Sequence, residues 1–155
     1  ARVLSSLEKL HLTIKKLSLK IIDKSNYLKL DNEQGVPIQG VKNLQDNLFG
    51  LESNFEELNG IDFKKGCYVG QENTARMKLK NKLRRKLLPI ISKNSLKVSD
   101  EIKFKELVIG KVLIGDKYPF ALIKLFDPEF KEFYKQNLKV NETDIQILVP
   151  SHFKI

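Results

Sequence analysis

The segment best suited to chemistry runs from residue 64 to residue 76, with the sequence Lys-Lys-Gly-Cys-Tyr-Val-Gly-Gln-Glu-Asn-Thr-Ala-Arg. It holds Cys67, the single cysteine of the chain, between Gly66 and Gly70. Glycine tolerates positive φ and close backbone approach, so the two glycines predict a tight turn around the thiol. Nearby cations and a helix N-terminus favour thiolate over thiol, which would make a partly exposed Cys67 reactive. The alternative is a small, buried and inert cysteine.

A short helix is predicted to start just after Gly70, because residues 71–80 combine fair helix propensity with an acidic first turn. Glu72 and Arg76 lie four residues apart, in the order that stabilises a helix, and this pairing alone would explain both. Gln71 and Glu72 are interpreted as groups that hold the turn by hydrogen bonds, since a tight turn leaves backbone donors in need of acceptors.

The chain has 155 residues, of which 41% are hydrophobic and 30% charged, which is typical of a globular protein with one or two domains. No apolar run approaches the roughly 20 residues of a membrane helix, and no signal peptide is recognised, so we expect a cytoplasmic protein without membrane contact. A single cysteine excludes an internal disulfide and a cysteine-only metal cage. His11 and His152 are far apart in sequence and do not suggest a zinc site.

The net charge of +9, from 28 basic and 19 acidic residues, favours an acidic partner without identifying it. RNA, a polyanionic cofactor tail and an acidic protein all satisfy it. The densest basic cluster carries no aromatic residue for base stacking and matches no nucleic-acid motif, so direct nucleic-acid binding is not favoured. A solvated helix end and linker is the preferred interpretation, with a phosphate or polyanion contact as the alternative. The members of this basic cluster are Lys78, Lys80, Lys82, Arg84, Arg85 and Lys86.

The first part of the chain is predicted to contain strands, because apolar and polar residues alternate over residues 10–14 and 17–21 with a shift of frame between them. Residues 27–34 favour either a short strand or a helix that Gly35 would end. Residues 39–60 show no regular pattern and are predicted to form a long surface excursion with one turn of helix around Phe55 to Leu58.

The second part is predicted to be a small antiparallel barrel or sandwich of about five or six strands, with one helix over its open edge. Pro89 indicates an edge or bulged first strand. Asp127 and Pro128 are typical of a helix N-cap and first helical position, and the aromatic residues behind them are expected in the core. The strand-forming segments are residues 87–91, 100–104, 107–114, 120–126 and 145–149.

The segment from Lys65 to Glu72, followed by Arg76, resembles the signature of the YgfZ family. These are folate-binding proteins of iron-sulfur cluster maintenance, related to the aminomethyltransferase (T-protein) of the glycine cleavage system. The resemblance extends over nearly the whole chain. The supporting segments are Gly35-Val36-Pro37, Gly60-Ile61-Asp62-Phe63-Lys64, Gly110-Lys111-Val112, Ala121-Leu122-Ile123 and Pro150-Ser151-His152-Phe153, the last with His where the family has Trp.

The resemblance implies an α+β fold in two units. Residues 1–82 would be the C-terminal part of a folate-binding α/β domain of the ferredoxin-like, T-protein type, with the signature loop at residues 64–76. Residues 83–155 would be a C-terminal β-barrel domain. Family members are considerably longer and begin with an α/β region that supplies much of the folate pocket. The chain therefore resembles a C-terminal portion.

The same resemblance implies tetrahydrofolate or a derivative as cofactor of the complete protein, with Cys67 as the functional thiol at the rim of the pocket. Lys65 and Arg76 would balance the glutamate tail of the folate. One thiol cannot hold a cluster alone, so Cys67 would be at most a transient cluster ligand, and no resident metal is expected. The remaining candidates for cofactor contact are Gly66, Tyr68, Gly70, Gln71 and Glu72. Relatives commonly have an arginine where this chain has Asp31, which bears on folate affinity.

The preferred function is that of a folate-dependent accessory protein for iron-sulfur cluster assembly or repair, indirectly supporting tRNA modification. Its partners would be folate and iron-sulfur proteins or assembly factors. One alternative is an aminomethyltransferase-like one-carbon transferase of the T-protein type. The other, motivated by the net charge, is a basic RNA or protein interaction module.

Overall fold

The second part of the chain forms a closed antiparallel barrel in a computed structural model that describes residues 4–66, 69–80, 83–115 and 117–153. The strands are β1 (Arg85–Ser92), β2 (Glu101–Phe104), β3 (Leu107–Ile114), β4 (Phe120–Lys124), β5 (Leu138–Val140) and β6 (Thr143–Ile147). Their order around the barrel is β1-β4-β3-β2-β5-β6, and β6 pairs with β1 to close it. The predicted α+β class with a small barrel is confirmed.

Closure of the barrel makes the prediction of an open edge covered by a helix wrong, since the described strands leave no such edge. It also excludes the edge alternative for β1. Leu87 of β1 pairs with Leu122 of β4, and Ile90 pairs with Ile147 of β6. Pro89 lies where β1 passes from one neighbour to the other, and its carbonyl accepts the Leu148 N–H at 2.9 Å. A residue without a backbone N–H is accommodated at such a change of partner.

The first part of the chain contains helices where strands were predicted. The helices in the described residues are α1 (Leu7–Lys16), α2 (Lys24–Glu33), a short 3-10 helix (Val41–Leu44), α3 (Glu72–Leu79) and α4 (Phe130–Phe133). None of the helices within the described ranges has the length and apolarity needed to span a bilayer. The predicted division at residue 82 stays a prediction, because residues 81 and 82 lie outside the described ranges.

Helix α1 replaces the strand predicted over residues 10–14, and the strand predicted over residues 17–21 is a turn followed by irregular backbone. Two helix signals outweigh the alternation. The Ser6 hydroxyl accepts the Lys9 N–H at the start of α1, and basic residues occupy its last turn. Within the described residues α1 buries no side chain, so its leucines lie against solvent.

Helix α2 confirms the helical alternative for residues 27–34. The Asp23 carboxylate accepts the Ser25 N–H at 2.7 Å and caps the helix. Hydrogen bonds from the side chain and backbone of Ser25 hold the pKa of Asp23 below its ordinary value. Gly35, at φ +74°, ends the helix as predicted. The Tyr118 hydroxyl donates to the Ser25 carbonyl at 2.8 Å, which ties α2 to the loop before β4.

Helix α4 places two phenylalanines in the barrel core, as expected from their spacing. The Phe133 ring lies 5.8 Å from that of Phe104 and 5.5 Å from that of Phe130, measured between centroids. The predicted cap is wrong: the N-cap is Glu129. Asp127 has φ +56° and a cis bond to the following proline, whereas an N-cap residue has extended backbone.

Candidate functional site

A turn at residues 62–65 leads into the signature segment. The Asp62 carboxylate accepts the Lys64 N–H at 2.9 Å, the hydrogen bond of an Asx turn. Lys65 follows on this turn with its side chain exposed. Cys67 and Tyr68 lie outside the described residues, so their predicted roles stay predictions.

The two glycines of the segment differ. Gly70 has φ +90°, a conformation that favours glycine, and confirms a turn before α3. Gly66 does not have a positive φ, and an added Cβ would meet nothing within 4 Å. Judged from the described residues, neither the backbone conformation at Gly66 nor the space around it requires glycine at this position.

Helix α3 begins at Glu72, directly after Gln71, and confirms the predicted short helix. Glu72 is exposed in the first turn, where a carboxylate stabilises the helix dipole. Among the ion pairs of the described residues there is none between Glu72 and Arg76. Their spacing permits a pair that the structure does not form, which leaves the Arg76 guanidinium available to a ligand.

A contact on α3 fixes the helix against the irregular segment before it. Lys78 forms an ion pair with Glu56, and its Nζ lies 5.6 Å from the centroid of the Phe63 ring. The signature segment is thus held at both sides: by the Asp62 turn before it and by this ion pair after it.

Arg76 lines an open groove of about 1030 Å³ between α3 and the barrel. Of the predicted site residues within the described ranges, it is the one placed on the groove wall. The others do not line it; they are Lys65, Gly66, Gly70, Gln71 and Glu72. The groove also contains further cations, and these are Lys80, Arg84, Arg85 and Lys124. The alternative interpretation of the basic cluster, a contact for a polyanion, has a matching surface here.

The floor of the groove contains a buried carboxylate that the sequence did not indicate. Glu52 is 3% exposed, and its carboxylate accepts hydrogen bonds from the Arg85 guanidinium at 2.9 and 3.3 Å. It also accepts the Phe49 N–H at 2.9 Å. Bidentate pairing with a carboxylate fixes the plane of the guanidinium, so Arg85 is held in place.

The segment around Glu52 is irregular, as predicted, but it is not a free surface excursion. The Asn54 amide donates to the Leu87 carbonyl at 2.7 Å, and the Leu87 N–H donates to the Glu52 carbonyl at 2.8 Å. Residues 52–54 therefore lie beside β1 as a neighbouring strand would. No periodic pattern marks these contacts, because they depend on single polar side chains rather than on an apolar face.

The interpretation of the basic cluster as a solvated helix end and linker is wrong for Lys86, which is buried. Its side chain is fully buried in β1 and forms an ion pair with Glu57, whose side chain is 12% exposed. The Lys86 ammonium also lies 5.1 Å from the centroid of the Phe153 ring. A lysine is buried in this way only when a carboxylate accompanies it, and that carboxylate comes from the irregular segment.

Two described signature residues carry the charge that the anionic part of a folate would require. Arg76 and Lys65 are both exposed, and within the described ranges neither side chain pairs with a carboxylate. Guanidinium and ammonium groups bind carboxylates by charge-assisted hydrogen bonds, so both suit a glutamate tail. The described signature residues do not line a common cavity that would enclose the folate ring. Within the described ranges, no three metal-ligating side chains are grouped to hold an ion.

Comparison with known proteins finds relatives that carry iron-sulfur names. No protein-family model matches the chain. It is 44% identical over 70 residues to the iron-sulfur cluster assembly factor IBA57 homolog, mitochondrial, of Dictyostelium discoideum, which covers 44% of this chain and 17% of that protein. It is 42% identical over 69 residues to the iron-sulfur cluster assembly factor IBA57, mitochondrial, of Mus musculus, and the match covers 44% of this chain and 19% of that protein.

A bacterial protein matches to a similar extent. The tRNA-modifying protein YgfZ of Edwardsiella ictaluri is 40% identical over 68 residues, which is 44% of this chain and 20% of that protein. The matched regions thus span only 17% to 20% of the length of these three relatives. The resemblance to the YgfZ family is confirmed for this portion of the chain.

Proposed function

We propose, from the resemblance of the chain to the YgfZ family, that it is an accessory factor in the assembly or repair of iron-sulfur clusters. The observation that carries the proposal is the match to two IBA57 assembly factors at 42% and 44% identity. The signature at residues 65–72 supports the same role, because it places a single thiol among cations.

Cys67 is the residue to which we assign the chemistry. A thiolate is the form of cysteine that binds iron, and the neighbouring Lys64 and Lys65 favour it. A single thiolate leaves a cluster's other positions to ligands from another molecule. The proposed role is therefore transient: Cys67 contacts a cluster or a thiol while it passes between assembly factors and the recipient iron-sulfur protein.

Tetrahydrofolate is the cofactor that we propose for the complete protein. When bound, it carries one-carbon units. Lys65 and Arg76 would hold its carboxylates, and the remaining signature residues would lie at the rim of the pocket. Asp31 lies in α2 where relatives commonly have arginine, and its Oδ2 is buried without a hydrogen-bond partner among the described residues. A carboxylate cannot hold another carboxylate as arginine does, so Lys65 and Arg76 carry more of this task.

The wider setting is part of the same proposal. Support of tRNA modification would be indirect, through the enzymes that receive clusters. The cytoplasmic location expected from the sequence stays a prediction, and the eukaryotic relatives reported above are named mitochondrial.

Replacing Cys67 with alanine or serine is expected to abolish support of iron-sulfur enzymes. The gene is introduced into a strain that lacks its own copy, and the activity of an iron-sulfur enzyme is measured with the amount of that enzyme. Both variants should leave activity at the level of the deletion strain, since serine keeps the size but not the thiolate. Val98→Ala, at a side chain that is 46% exposed and lies outside the signature segment, is the control and should restore activity. Full activity with Cys67→Ala would rule out the proposed role.

Arg76→Ala is expected to weaken tetrahydrofolate binding about tenfold, the effect of losing one charge-assisted hydrogen bond. Isothermal titration calorimetry with the complete natural form of the protein measures this. Lys103→Ala, on β2 and exposed, removes an equal charge far from the signature and should not change affinity. Unchanged affinity in Arg76→Ala would remove this residue from the folate site, and no binding by the unmodified protein would exclude the cofactor.

A further inference from the structure

The fold supplies the basic cluster with the aromatic rings that its own sequence lacks. Phe49, from the irregular segment, and Phe126, just after β4, both line the groove beside Arg76. Each of the two phenylalanines is 54% exposed. Large aromatic side chains are usually buried, so two half-exposed rings on one charged groove form a surface that suits flat ligands.

The cations of the groove are mostly free to bind a ligand. The lining includes five cationic side chains and two carboxylates, Glu52 and Asp127. Arg85 already pairs with Glu52, and the Lys124 ammonium donates to the Val108 carbonyl at 2.8 Å. The remaining three form no ion pair within the described ranges; they are Arg76, Lys80 and Arg84. A net positive charge thus faces the open groove.

We propose that this groove binds single-stranded nucleic acid. Proteins that bind single strands combine a positively charged groove for the phosphates with exposed aromatic side chains on which bases stack. Both components are present here, on elements far apart in sequence. This inference extends beyond iron-sulfur maintenance and does not depend on it. Because Arg76 is also assigned to the folate carboxylates, the nucleic-acid proposal rests on Lys80, Arg84 and the two phenylalanine rings.

Two other ligand types fit less well. An acidic peptide would use the cations but leaves the exposed rings of Phe49 and Phe126 without a function. A small anion would need only cations that lie close together. Here the free cations come from two elements: Arg76 and Lys80 from α3 and its C-cap, and Arg84 from the residue before β1. The groove volume of about 1030 Å³ is at the upper end for small-molecule pockets, and the groove is open. Extended strands suit such a surface.

The test measures binding of fluorescein-labelled single strands of mixed sequence, about 10 nucleotides long, to the 155-residue chain. Fluorescence anisotropy is recorded from about 50 mM to about 200 mM salt, with RNA and DNA of the same sequence. We expect binding that weakens steeply with salt, and the ratio of the two affinities tells which sugar is preferred. Arg84→Ala should weaken binding and reduce the slope of log K against log salt by about 0.7, the loss of one phosphate contact.

The aromatic contribution is tested at Phe126. Phe126→Leu keeps an apolar side chain but removes the flat ring, and should weaken binding about tenfold, whereas Phe126→Tyr should bind as the unmodified chain does. Lys103→Ala on β2, which is separated from β1 by two strands in either direction around the barrel, is the charge-matched control.

Four results would overturn the proposal. They are no binding at the lowest salt, equal effects of Arg84→Ala and Lys103→Ala, no effect of Phe126→Leu, and competition by polyglutamate as strong as that by RNA of equal charge. The last result would identify the groove as a site for acidic protein.

Discussion

Replacing Glu57 with alanine is expected to lower the free energy of unfolding by about 3–5 kcal/mol, because it removes the carboxylate that accompanies the fully buried ammonium of Lys86. The cost comes from the desolvation of the buried Lys86 charge, which Glu57 offsets in the unmodified chain, rather than from a net stabilisation by the pair. Urea denaturation followed by circular dichroism measures the change.

A double variant separates these two quantities. Lys86→Met together with Glu57→Leu removes both charges and keeps apolar volume, so its stability should lie within about 1 kcal/mol of the unmodified chain, or above it. Glu56→Ala breaks the exposed pair with Lys78, whose side chain is 47% exposed, and should cost less than about 1 kcal/mol. If Glu57→Ala were no more harmful than Glu56→Ala, the buried pair would not contribute as argued.

Phe133→Ala is expected to cost about 3–5 kcal/mol, the range for removing a fully buried phenylalanine. The ring fills the barrel core between Phe104 and Phe130, and neighbouring strands cannot collapse into the space without breaking their pairing. Chemical denaturation gives the change in free energy.

Phe126→Ala is the matched control, because this ring is 54% exposed and sits just before the turn into α4. It should cost less than about 1 kcal/mol. Equal losses in the two variants would mean that the Phe133 ring does not fill the core as described.

The barrel was predictable from sequence where local signals agree. The apolar run over residues 107–114 is flanked by turn residues, and β3 covers the same range. The alternation of Leu10, Leu12 and Ile14 misled, because these positions also fit a helix that begins at the Ser6 cap. A short leucine-rich segment can match the period of a strand and that of a helix, and only the capping residues then indicate which of the two forms.

Closure of the barrel was not predictable, because it depends on pairing between β1 and β6, which lie far apart in the chain. Burial of Lys86 was hidden for a similar reason: Glu57, its partner, lies in a segment without any pattern. The signature segment was recognisable because it is contiguous. The groove was not recognisable, because two of its lining residues, Phe49 and Phe126, lie far apart in the sequence.

The two carboxylates of the irregular segment also decide how β1 aligns against that segment. Glu52 pairs with the half-exposed Arg85, and Glu57 pairs with the buried Lys86. Adjacent residues of a strand point to opposite faces, so a slip of one residue would exchange the environments of arginine and lysine and break both pairs. Apolar residues on β1 tolerate alternative registers better than these charges do. The charged pairs therefore select one alignment of β1 against the irregular segment.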